Sequence, residues 1–112
     1  MYLPAPDEST WVGVMRLVLE VPASRSLKDK RRVLSRVRDR LRARSELCVA
    51  EVGHLEDRSR SVFSVVTVSN DARVARATLD RVAGELPGWS EAHLLDVDIE
   101  VLRTGGSFSD HS

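Results

Sequence analysis

Leu95-Asp96-Val97-Asp98-Ile99-Glu100-Val101 alternates without interruption, four branched apolar residues on one side and three carboxylates on the other. Successive side chains of a strand point to opposite faces. The stretch therefore reads as a β-strand with one face toward a core and one acidic face toward water. Upstream, Val74, Ala75, Leu79, Val82 and Leu86 recur every three or four residues until Pro87-Gly88, the spacing and stop of an amphipathic helix that Ser69 or Asn70 would cap. Before that helix, Leu47–Val52 and Val62–Ser69 are β-rich and are separated by a polar loop, residues 54–61, as in a hairpin with a long connection.

The N-terminal part completes the pattern. In Trp11–Val21 the odd positions Trp11, Met15, Leu17, Leu19 and Val21 are apolar while Arg16 and Glu20 lie on the other face, and Pro22 ends the strand. Ser26 opens a helix, with Asp29 in its positive first turn. At 100° per residue Leu27, Val33, Leu34, Val37 and Leu41 form one apolar stripe that runs to about Arg44. The order β-α-β-β-α-β is the split βαβ pattern. It predicts an α+β fold: a four-stranded antiparallel sheet in the order 4-1-3-2, with two helices on one face. The start of helix one, the loop between strands two and three and the Pro87-Gly88-Trp89 turn are expected at one end of the molecule.

With 112 residues the chain suffices for one domain, expected over 11–103 between a loose leader (1–10) and a loose tail (104–112). The hydrophobic fraction of 42% excludes disorder over most of the chain, and the single cysteine excludes an internal disulfide. Without an apolar span or an export signal, the expectation is a soluble, cytoplasmic protein that makes no membrane contact.

Seventeen basic residues balance seventeen acidic ones, but not locally. Residues 24–44 hold ten basic and two acidic side chains, so this segment carries +8 and the remainder −8. On the helical wheel Arg38, Arg31, Arg42, Ser35, Lys28 and Arg32 are consecutive on one solvent arc. Such a stripe attracts phosphates and releases their counterions. Arg40, Arg42 and Arg44 also suit the negative end of the helix dipole. Lys28, Lys30 and Arg31 oppose the positive end, a placement costing about 0.3–1 kcal/mol where exposed. The candidate nucleic-acid-binding set is Arg25, Lys28, Lys30, Arg31, Arg32, Arg38 and Arg42. Within it Lys30 stands apart, because it falls at the centre of the apolar arc. It reads either as a stem laid over the helix end with its ammonium reaching water or a carboxylate, or as a hold on phosphate at the helix start.

Ser26-Leu27-Lys28-Asp29-Lys30-Arg31-Arg32-Val33-Leu34, Val49-Ala50-Glu51-Val52 and Val68-Ser69-Asn70-Asp71, in this order and spacing, resemble the YlxP-like family of small uncharacterised bacterial proteins. The likeness spans about Trp11 to Arg103 and departs at Arg44–Cys48. It implies a ferredoxin-like domain in a bacterial cytosolic protein and, from the genes that commonly neighbour such proteins, RNA or ribosome association. It brings no established activity.

No other motif organises chemistry. The open sheet face would present Asp96, Asp98, Glu100, Glu20 and Arg16 with Val12, Val14 and Val18, lacking the aromatic platform of an RNA-reading sheet. Its aliphatic part predicts partial covering by a second subunit, a homodimer, through sheet-to-sheet packing or edge pairing. Glu51, His54, Glu56 and Asp57 match no metal-ligand spacing, and His54 reads as a loop residue. Cys48 reads as a packed thiol, and Trp89 as a lid on the core. The expectation is a protein that is not an enzyme and has no metal, cofactor or catalytic residue. Its function would be a ribosome-associated or RNA-binding adaptor working through helix one. The alternative is a self-associating protein-interaction module without a nucleic-acid partner.

Overall fold

The computed structural model describes residues 9–22, 26–54, 57, 59–89 and 92–104. The elements follow the expected order: β1 Thr10–Glu20, α1 Leu27–Arg42, β2 Cys48–Gly53, β3 Arg60–Ser69, α2 Ala72–Glu85, a 3₁₀ turn Leu86–Gly88, and β4 His93–Thr104. Strand order is β2-β3-β1-β4, every neighbouring pair antiparallel. This is a ferredoxin-like α+β arrangement.

Period two in β1 does what the sequence implies. Met15, Leu17 and Leu19 turn inward and are essentially inaccessible, as is Val21 just beyond the strand. They meet Val33, Leu34, Val37 and Leu41 of α1, Phe63 and Val65 of β3, and Leu79 and Val82 of α2 in one core. Each such side chain contributes about 1.5–3 kcal/mol by leaving water. Ser26 caps α1 by accepting from the Asp29 amide at 3.2 Å, which satisfies one of the free donors of the first turn.

Three local expectations are corrected. α2 is capped by Asp71, one residue beyond Asn70, and Val74 is 52% exposed while Thr78 takes the inward place. In β4 the register with β1 shifts, Val18 opposing Asp96 and Leu19 opposing Leu94. Leu95 is thus an extra residue and lies exposed, and Leu94 packs against the core instead. A bulge reverses which residue faces inward. Cys48 is exposed rather than packed. It opposes Val66 on the open face, and its neighbour Val49 takes the core position.

Candidate nucleic-acid interface

α1 lies over β2, whereas α2 covers β1 and β4. The buried side of α1 comprises Lys30, Val33, Leu34, Val37 and Leu41, the arc that 100° steps select. The opposite side faces solvent. Lys28, Arg31, Arg32 and Arg42 are exposed, and the rise of the helix spreads Lys28 to Arg42 over about 21 Å. The side chains of Lys28, Arg31 and Arg42 make no ion pair or hydrogen bond among the described residues. Arg32 approaches Asp29 only at 3.9 Å, with its side chain 65% exposed, a pair of little energetic weight. Arg38 is half-buried and donates to Ser35 Oγ at 3.1 Å. Arg25 lies outside the described residues.

Other cations of the run are committed to the fold. The Arg40 guanidinium stacks 5.0 Å from the centroid of Trp89, and Arg44 donates to Glu85 at 2.5 Å and to Glu46 at 3.4 Å. Trp89 is half-buried and packs on the core, as a lid does. Its partner lies in the C-terminal half of α1, so the expected placing of Trp89 beside the helix start is corrected.

Lys30 does not belong to the surface. It is 1% exposed, and its ammonium donates to three backbone carbonyls: His54 at 2.7 Å, Arg60 at 2.9 Å and Asp57. All three donors of the ammonium are used. A phosphate could reach it only by displacing the loop, so the phosphate-contact reading of Lys30 is withdrawn. The carboxylate or water expected by the other reading is replaced by the converging carbonyl dipoles of the β2–β3 connection.

That connection is built to present them. His54 adopts a left-handed backbone with φ of 56°, a region His enters more readily than most side chains. Asp57 Oδ1 accepts from the amides of Ser59 at 2.7 Å and Arg60 at 2.9 Å and from the Ser59 hydroxyl at 3.1 Å. These bonds, the Ser59 and Arg60 amides first, favour the carboxylate and hold its pKa down to about 2. The Val21 amide donates to the Ser59 carbonyl at 2.6 Å, and the Ser61 hydroxyl donates to Glu51 at 2.5 Å. The start of α1, the end of β1 and the β2–β3 loop are thereby tied together at one end of the sheet, as the topology predicts.

A model of the family described as protein of unknown function, DUF503, matches residues 12–99. The chain belongs to the DUF503 family. The DUF503 match contains all of α1, the β2–β3 loop and the bulge in β4. Among solved structures, one titled "De novo designed protein Foldit4" is similar at 14% identity and a TM-score of 0.43, covering 86% of this chain and 97% of that one. Comparison with curated proteins gives no match. Among the described residues no helix is long and apolar enough to cross a membrane.

Proposed function

We propose that this DUF503 protein is a non-enzymatic adaptor of the bacterial cytoplasm that binds structured RNA, ribosomal RNA included, through the solvent arc of α1. The carrying observation is that Lys28, Arg31 and Arg42 stand on one helix face without a partner among the described residues, flanked by the weakly held Arg32. Cations that served only to stabilise the helix would be paired along it or placed at its C-terminal turn; Arg42 does stand in that last turn, but Lys28 and Arg31 are neither paired nor near it. The resemblance of the Ser26–Leu34 run to YlxP-like proteins supports the same reading. Contacts from such a helix go to phosphates, so recognition is by shape and only weakly by sequence.

Titrating the protein with a structured RNA at several salt concentrations tests this. Neutralising five phosphates with Lys28, Arg31, Arg32, Arg38 and Arg42 gives a log–log slope of about −4. Combining Lys28→Glu with Arg31→Glu should flatten the slope and weaken binding by at least about tenfold. Affinity unchanged by the double substitution, or independent of salt, overturns the proposal.

The open sheet face favours a second reading, self-association. Val68 is 62% exposed and Leu102 45%, and Val12, Val14, Val18, Val62 and Val66 are half-buried around them. Sedimentation at low and high salt separates the two readings. A salt-sensitive dimer that shields α1 counts for an acidic partner surface on a second copy and against RNA.

A further inference from the structure

β4 is an edge of the sheet, twelve residues long, and α2 overhangs it. The Val97 amide donates to the carboxylate of its own neighbour, Asp96 Oδ1, at 2.9 Å, which places this N–H on the outer side of the strand. The period of two sets Ile99 and Val101 outward in the same way, and the even residues toward β1. Between this edge and α2 runs an open groove of about 350 Å³ lined by Ala72, Arg73, Arg76, Ala77, Asp80 and Val101. On the other face of the same edge stand Asp96, Asp98 and Glu100, all exposed.

We infer that the β4 edge is a docking site for an extended segment of another protein in which apolar and basic residues alternate. The segment adds as a fifth strand. Its main chain pairs with the outward groups of Ile99 and Val101 and takes the Val97 amide over from Asp96. Its apolar residues enter the groove beneath α2, and its basic residues meet the three carboxylates, Asp96 being freed for this by the exchange. Charge selects this occupant over a second copy. Two β4 strands paired antiparallel hydrogen-bond where odd residues oppose odd ones, which sets the acidic even positions of the two copies on one face, carboxylate near carboxylate; paired parallel, they set odd against even, each carboxylate against an apolar side chain. The other edge is a poorer receptor, because β2 has six residues and a register shift beside Val52. With α1 over β2 and the groove at β4, the RNA surface and the peptide edge lie at opposite sides of the sheet, and the inference does not depend on the RNA reading.

The test uses the full chain and the peptide acetyl-Lys-Val-Lys-Val-Lys-Val-Lys-amide, followed by NMR and amide exchange. The block isomer with four Lys before three Val, and the Glu-for-Lys peptide, serve as comparisons. The alternating basic peptide should bind and protect the amides of Val97, Ile99 and Val101. The block isomer and the acidic peptide should bind at least about tenfold more weakly. Val97→Pro removes an outward donor that β1 does not use, so the fold persists and binding is lost. The triple substitution Asp96→Lys, Asp98→Lys, Glu100→Lys should reverse the preference toward the acidic peptide. Equal affinity for the block isomer, protection at β2 or on the open face, or indifference to Val97→Pro each overturns the inference.

Discussion

The Lys30 ammonium lies 2.7 Å from the His54 carbonyl oxygen, a bond that joins the first turn of α1 to the residue following β2. A lysine inside an apolar arc is costly unless its charge is met. Here three carbonyls meet it, two of them of residues flanking the loop and the third of Asp57 within it. Lys30→Met keeps the stem and removes the donors. Chemical denaturation should show a loss of about 2–4 kcal/mol, the scale of charge-assisted hydrogen bonds lost from a buried site. RNA affinity of the folded fraction should fall much less than with Lys28→Glu and Arg31→Glu. The reverse ranking would return Lys30 to the binding surface.

Asp57 should make the same loop sensitive to acid. Its folded pKa, about 2, lies below the ordinary value of 3.8, so the carboxylate favours the folded loop. That contribution is complete above about pH 4 and disappears as pH falls through about 2. A carboxyl titration by NMR should report the depressed midpoint. Asp57→Ala should remove this part of the acid dependence and speed exchange of the Ser59 and Arg60 amides. A midpoint near 3.8 would show that the Asp57 bonds do not persist in solution.

Two glycines should respond to alanine with opposite signs. A Cβ at Gly13 would stand 2.9 Å from Leu79 Cδ1 and 3.3 Å from Thr67 Cγ2, both within buried side chains, whereas a Cβ at Gly84 meets nothing within 4 Å. Gly13→Ala should cost about 1–3 kcal/mol by overpacking α2 against β1. Gly84→Ala, inside α2, should stabilise by about 0.5–1 kcal/mol. Thermal melts of the two variants decide; a stabilised Gly13→Ala would mean that α2 lifts from the sheet at little expense.

Arg40 and Trp89 should be coupled. A guanidinium 5.0 Å from an indole centroid at a partly exposed site contributes about 0.5–1 kcal/mol. A double-mutant cycle on Arg40→Gln and Trp89→Leu should return that coupling. The corresponding cycle on Arg42 and Trp89 should return none, because Arg42 faces solvent.

The inward faces of β1 and α1 were readable because regular elements repeat: a period of two selected Met15, Leu17 and Leu19, and 100° steps selected Val33, Leu34, Val37 and Leu41. The bulge at Leu95 was not readable, since the alternation from Leu95 to Val101 is equally good on either side of a register shift. Cys48 failed for a related reason. Its apolar neighbours gave no phase to the start of a short strand, and only pairing with Val66 set its face.

By itself the sequence determined the order of the elements, the sheet topology and the concentration of positive charge on α1, because these depend on local periodicity, chain connectivity and composition. It also marked Lys30 as out of place, since the wheel put it among apolar residues. Only the tertiary structure decided what each cation does. Lys30 turns into the β2–β3 carbonyls, Arg40 to Trp89 and Arg44 to Glu85, while Lys28, Arg31 and Arg42 are left to solvent. Those partners lie 24, 49 and 41 positions away in the chain at the nearest, and a charge is consumed or left available by what folding brings beside it, which no local pattern encodes.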